Sequence, residues 1–516
     1  MDELKNERKS RRAGGRAARH AERAAPLAED LRPVRPGMTG GNYKPLTEED
    51  IRQIHGVALD ALEQIGMADA PERGKQAMLD AGCTWNEETK RILFPRRLVE
   101  ASIDMTPKEF KIYGQNAPEF DLTLSGNRVH YATAGAAVHT VDVDTKEYKE
   151  SSLDDLYTAA KIVDEMDNIH FFQRPVVARD VLDNVEMDYN TMWACLRGTR
   201  KPIGTSIFEP DAVGPCFDML YSVAGSEQAY RDRPFAMLSC TFVVPPMKYA
   251  TESCAVMEDC IDGGMPVLLL SAGQAGATSP AAIAGSIMQA HAECLSGVVY
   301  VNALKQGHPL VFGPWPFVSD LRSGAMSGGS GEQSILSCGV AQMGQHIGLP
   351  TGTAAGMSDA KLPDIQAGYE KGITTVMAGL AGANMVYESA GMHASLLGFC
   401  LESLVIDNDM LGQAMRCVRG VEVDTSRLSL ETMREVALQG PGHYLGTNQT
   451  MSLMQSEYIY PKIGDRLSPK EWAEVGKPDI VEEAKKKVAE VRAKEPTHID
   501  PALDKLMREK YNIYVN

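Results

Sequence analysis

Two short apolar runs in this chain end on charged side chains, and a third ends on aromatic ones. The stretch Leu349–His393 reads LPTGTAAGMSDAKLPDIQAGYEKGITTVMAGLAGANMVYESAGMH. Its first run, Leu349–Ala355, opens into a glycine-containing loop with Ser358, Asp359 and Lys361; its second, Met385–Tyr387, stops directly on Glu388, with His393 close behind. A carboxylate in such a place can balance a bound cation or move a proton. The stretch FGPWPF, Phe312–Phe317, puts three aromatics and two prolines at the exit of another run. Rigid aromatic faces can wall a cationic ammonium group through cation–π attraction, and they can equally form an apolar lid. Glu388 could as well be tied to an arginine, His393 fits a structural role, Asp359 and Lys361 can pair with each other, and Asp364 after Pro363 suits a helix N-terminus.

Such tips do chemistry together only if a scaffold gathers them. Apolar runs occur at Val129–Ala134, Ile169–Phe172, Pro202–Phe208, Phe235–Leu238, Pro266–Leu270 and Leu310–Phe312, besides the two above. Segments of helical periodicity lie between them, among them Leu153–Met166, Val185–Leu196, Ser253–Ile261, Ala281–Leu304, Gln333–Ile347 and Asp364–Ala381, and Leu401–Arg419 follows the last. Eight strands alternating with eight helices over about 290 residues predict an α/β fold of the (β/α)8 TIM-barrel type, whose sites are built on the loops after the strands. The near-continuous apolar character of the runs suits strands covered on both faces. A doubly wound sheet is the alternative, but no Gly-rich phosphate turn follows the first run, YATAGAAVHT. The strand ends then offer Tyr131, Thr133, Gln173, Arg174, Glu209, Cys240, Thr241, Ser271 and Gln274, followed by Trp315, Phe317, Asp359, Lys361, Glu388 and His393. Histidines are too few for a zinc site, and neither a G-x-S-x-G elbow nor a P-loop is present.

Around the barrel, expected over 128–420, the sequence divides into a flexible basic arm (1–41), an N-terminal helical and α+β cap (42–127) and a C-terminal helical extension (421–516). Thr47 with Asp50 and Ser468-Pro469-Lys470-Glu471 read as helix starts, and the charged stretch Ile480–Leu506 reads as one solvated helix. A net charge of -17 argues against general affinity for nucleic acid or anionic membrane. No apolar stretch approaches a membrane span and no secretory h-region is present, so a cytoplasmic location is expected, with the ten cysteines as buried thiols.

GMSDAKLPDIQAGYEKG (Gly356–Gly372), GANMVYESAGMHASLLGFCLESLVIDNDML (Gly382–Leu411) and GPGHYLG (Gly440–Gly446) resemble the trimethylamine methyltransferase family, and the likeness extends over nearly the whole chain. The resemblance implies a barrel enzyme that moves a methyl group from a methylated amine to the cobalt of a corrinoid. A separate small protein carries that corrinoid and docks over the barrel mouth; this chain has no D-x-H-x-x-G element of its own. It further implies a homo-oligomer, with no tightly bound cofactor or metal in the chain itself. Archaeal members acting on trimethylamine use pyrrolysine, which would fall near Met357 and is absent here; members without it include demethylases of glycine betaine and related quaternary amines. A quaternary amine of the glycine betaine kind is therefore the expected methyl donor. Trimethylamine, a non-catalytic quaternary amine-binding protein and a different barrel enzyme such as a lyase are the alternatives.

The motifs bear directly on Asp359, Lys361, Glu388, His393 and His443; the remaining assignments follow from strand-end position and chemistry. Glu388, Glu209 and Asp359 are the expected catalytic carboxylates. Trp315, Phe317 and Tyr131, with Phe399, are expected around the ammonium group, and His393, Arg174 or Lys361 against a carboxylate of the substrate.

Overall fold

The eight apolar runs become eight parallel strands that close into a ring. In the computed structural model, which describes residues 27–440 and 442–515, they are β1 (Arg128–Tyr131), β2 (Phe172–Gln173), β3 (Ile203–Thr205), β4 (Ala236–Cys240), β5 (Val267–Ser271), β6 (Leu310–Pro314), β7 (Gly352–Ala354) and β8 (Met385–Tyr387). Ladders join β2 through β6 in sequence order and, separately, β7 to β8 to β1. The parallel bridges Ala132↔Phe171 and Phe312↔Thr351 close the two arcs. The helices that follow the strands in turn are α1 (Leu153–Asp164), α2 (Asn184–Gly198), α3 (Pro210–Ala224), α4 (Thr251–Gly263), α5 (Ile283–Leu304), α6 (Gly331–Ile347), α7 (Ile365–Ala381) and α8 (Leu401–Arg419). This is a (β/α)8 barrel, with every strand end it offers to a ligand on one rim.

Local chemistry sets the helix limits. Asp364 accepts from the Ala367 amide as N-cap of α7, and Gly382 ends that helix in the left-handed conformation at φ 85°. Thr47 and Ser468 form reciprocal capping boxes with Asp50 and Glu471. The charged C-terminal stretch is two helices, Ile480–Arg492 and Pro501–Lys510, rather than one. Pro496 and Pro501 lie in or at the end of the break, and proline cannot continue a helix from within.

The N-terminal cap shares its core with the barrel. Ile51 and Ile54 of the helix Glu48–Gln64 pack with Ile287 of α5 and Leu336, Val340 and Met343 of α6. Cap strand Met67–Ala68 pairs with Lys248–Tyr249 from the loop after β4. Pairing begins inside the expected arm: Met38–Thr39 runs antiparallel to Val129 and Arg128. Glycine permits that approach, since a Cβ on Gly40 would lie 2.1 Å from the Gly379 carbonyl oxygen. Residues 1–26 of the arm lie outside the described residues. By compactness the described residues form two units, 36–420 with 461–515, and 27–35 with 421–460. In the second, the short helices Leu430–Arg434 and Asn448–Leu453 flank a π-helical turn at Glu435–Gln439. Among the described residues no helix is long and apolar enough to cross a membrane.

Candidate active site

Aromatic rings converge where β6 and β8 end. Trp315, one residue past β6, is buried with its ring 5.1 Å from that of Tyr387, and its Nε1 donates to the Gly352 carbonyl at 3.1 Å. Phe317 stands 6.5 Å from Trp315, edge to face, and its amide donates to the Gly273 carbonyl. Tyr387 also meets Phe171, the residue before β2, at 6.2 Å. Strands β2 and β6 each lie two places from β8 in the ring, so contact with both sides puts the Tyr387 ring inside the barrel. Glycines make the room: a Cβ on Gly352 would lie 2.7 Å from the Tyr387 ring, and one on Gly204 would lie 1.8 Å from Gln173 Oε1.

Glu388 follows Tyr387 at φ 63°. A left-handed non-glycine residue costs about 1–3 kcal/mol and persists only when its surroundings impose it. Here the Ser389 amide donates to the Ala132 carbonyl and its hydroxyl to that of Val386. The turn breaks the strand's two-residue alternation, so Glu388 need not point into the helix layer as a further strand residue would. The residue is 1% exposed. Among the described residues, Glu388 Oε2 and the Tyr387 hydroxyl have no hydrogen-bond partner. Burial alone pushes the Glu388 carboxyl up to about 8.

Other candidates are drawn elsewhere. Tyr131, expected at the pocket, points outward instead, its hydroxyl donating to the Thr375 carbonyl of α7 at 3.0 Å. Arg174, also at the end of β2, turns toward α2 and the β3–α3 turn: its guanidinium lies 5.2 Å from the Phe208 ring, and burial lowers its pKa against the pull of Asp188. Glu209 is the N-cap residue of α3 and accepts from Asn184 Nδ2 at 2.9 Å. Asp359 is spent on bracing loops, accepting from Ser327 Oγ at 2.6 Å, the Gly328 amide at 2.7 Å and Ser395 Oγ. Lys361 is exposed and donates to the Asp359 carbonyl, not to its carboxylate. His393 bonds Ser403 at 2.7 Å and lines a cavity of about 470 Å³ among α7, α8 and helix Ile480–Arg492. Phe399 packs on Gly391 in the loop after β8, and His443 belongs to the separate unit. The contacts of His393, Arg174 and Lys361, the expected carboxylate donors, are thus with groups other than Trp315 and Tyr387.

The chain matches the family described as Trimethylamine methyltransferase (MTTB) over residues 12–514. It belongs to that family. Trimethylamine methyltransferase MttB of Methanosarcina thermophila is 30% identical over 88% of this chain and 94% of its own length. A protein of the same name from Desulfitobacterium hafniense (strain DSM 10664 / DCB-2) is 27% identical over 87% and 89%. The glycine betaine methyltransferase of D. hafniense (strain Y51) is 25% identical over 92% of this chain and 96% of that one.

Within this methyltransferase barrel, sequence reasoning overlooked Tyr387 and the lumen-facing role of Gln173. The signal for both was glycine inside a strand, at 352 and 204, which marks a place where another group comes close. It also overlooked the brace between the loops after β7 and β8. There Ser358 and the Asp359 amide bond Glu370, and the Ser395 amide reaches the Ser358 carbonyl. Across this brace Ala394, Ser395 and Leu396 all take positive φ.

Proposed function

We propose that this protein transfers a methyl group from a quaternary amine of the glycine betaine kind to the Co(I) of a corrinoid held by a separate protein. The observation that carries the reading is an aromatic wall, Trp315 with Phe317 and Tyr387, followed directly in the chain by a buried carboxyl, Glu388, whose Oε2 has no partner among the described residues. Aromatic faces attract a tetraalkylammonium ion without hydrogen bonds, by about 2 kcal/mol or more where water is excluded, and a carboxylate supplies the opposite charge. A glycine betaine methyltransferase stands among the relatives beside the trimethylamine methyltransferases.

The donor's own chemistry limits what the site must do. A quaternary nitrogen departs as a neutral tertiary amine and needs no acid. The side chains therefore have only to hold one methyl group toward the barrel mouth and to keep water out, where proximity contributes most. The corrinoid is the methyl acceptor and supplies the nucleophilic metal. Its carrier would meet a rim on which Leu182, Phe208, Leu321 and Leu397, from four strand-to-helix loops, expose large apolar side chains. A second reading, trimethylamine as donor, draws on Glu388 as well. A carboxyl held neutral by burial can donate the proton that a tertiary amine needs before it can leave.

Mixing the protein with chemically reduced cobalamin and a panel of methylated amines tests the reading by absorbance. Methylcobalamin formed from glycine betaine or another quaternary amine, and not from trimethylamine, is the expected result. Formation from trimethylamine alone selects the second reading. Tight binding of quaternary amines with no spectral change would identify a binding protein instead, and activity that needs a divalent metal and no cobalamin would point to another barrel reaction.

A further inference from the structure

Resting on that substrate class, the geometry points to a site that exchanges charge for charge. We propose that Glu388 is a neutral acid in the empty protein and that the arriving quaternary ammonium expels its proton to solvent, so that one cation enters as one proton leaves. The O–H bond of the carboxyl breaks, the proton passes to buffer, and the carboxylate left behind faces the ammonium ion.

Three observations carry this. Glu388 is enclosed, and among the described residues its Oε2 has no donor to share a negative charge with. An ionised carboxylate without donors or a counter-ion is strongly disfavoured in such surroundings and takes up a proton instead. The titratable groups on the elements around it are committed elsewhere. Tyr131 on β1 bonds the Thr375 carbonyl, Glu370 on α7 holds Ser358 and the Asp359 amide, and Lys371 pairs with Asp407 of α8 at 2.7 Å. Asp359 braces three loop groups, and His393 bonds Ser403. Tyr387, the remaining neighbour, is itself sealed in and held neutral by burial. None of these groups among the described residues is left to ionise Glu388; a cation placed against Trp315 and Tyr387 can.

The exchange fixes a sign. Below the Glu388 value of about 8, binding must remove a proton, so affinity rises about tenfold per pH unit and levels off above it. A ligand carrying a tert-butyl group in place of the trimethylammonium has no charge to trade and binds without proton release.

Calorimetric titration with tetramethylammonium chloride, at about pH 6.5 in two buffers of different ionisation heat, counts the protons directly. About one proton released per site by the wild-type protein, and none by Glu388→Gln, is the expected result. Infrared difference spectra should show the protonated carboxyl band vanish as the cation binds, a readout that does not need the variant. Binding without proton release, or with an affinity that does not change with pH, overturns the exchange and leaves the substrate class standing. No binding of any quaternary amine overturns the substrate class and the exchange with it.

Discussion

Glu388 and Glu293 are both carboxyls sealed inside the barrel body, and the chain treats them in opposite ways. Glu293, on α5, accepts from Ser271 Oγ, from the Met247 amide at 2.8 Å and from Gln289 Nε2 at 3.1 Å. Burial raises its pKa while those donors pull it back. Asp407 on α8 is a third case, answered by Lys371 Nζ at 2.7 Å and the Gly391 amide at 2.8 Å. Glu388 has burial alone. A buried acid with partners ties elements together; one without partners is unfinished until something else arrives. The unfinished acid is the one at the end of a barrel strand, on a left-handed residue, next to an aromatic ring that faces the lumen.

The contrast is broken most severely through Asp407. Lys371→Met leaves that carboxylate buried without its cation and should destabilise the protein by about 3–5 kcal/mol in thermal or denaturant unfolding. A loss below about 1 kcal/mol would mean that the pair does not hold α7 to α8. Glu293→Leu should come next, at about 3 kcal/mol, because it strands the Met247 amide, the Ser271 hydroxyl and the Gln289 side chain together.

Glu388→Gln should go the other way on stability. The folded pKa of Glu388 is raised, so its contribution to stability is fully present below the unfolded value near 4.5 and is lost as pH rises through about 8. The melting temperature of Glu388→Gln relative to wild type should therefore climb between about pH 5 and pH 8. Methyl transfer moves oppositely, with kcat/KM falling about 100-fold, or about 2.7 kcal/mol of transition-state stabilisation. A Glu388→Gln protein that loses stability across that range would place Glu388 with Glu293, among the acids that hold the fold. Trp315→Phe is milder: it removes the better cation–π face and the bond to the Gly352 carbonyl, and should raise KM about fivefold, or about 1 kcal/mol, with a smaller change in kcat.

How much of this was legible beforehand depended on whether one strand end carried its own signal. The barrel was readable because all eight runs are short, apolar and separated by helical periodicity. Glu388, Trp315 and Phe317 stood out in the sequence because strand-end position and chemistry coincide in single residues. Tyr131 and Tyr387 were not told apart. Strands buried on both faces are apolar on both faces, so nothing in the sequence says which parity looks into the lumen; that is set by contacts such as Tyr131 with Thr375, 244 residues away. Asp359 looked as promising as Glu388 until Ser327, Gly328 and Ser395 were seen to occupy it, and those partners lie about thirty residues to either side. Arg174 misled for the reason Tyr131 did: it stands at a strand end but faces α2.

The smallest expected effect bears on that parity. Tyr131→Phe deletes one buried hydroxyl that donates to the Thr375 carbonyl behind the barrel wall. The carbonyl loses a partner while the ring keeps its packing, so stability should drop by about 1 kcal/mol. Because the hydroxyl lies outside the lumen, KM for a quaternary amine and kcat should both stay within about twofold of wild type, well short of the Trp315→Phe change. Placing Tyr131 in the ammonium pocket requires the reverse, a KM that rises with stability intact. The two measurements on one variant thus decide which tyrosine, 131 or 387, the barrel turns toward its ligand.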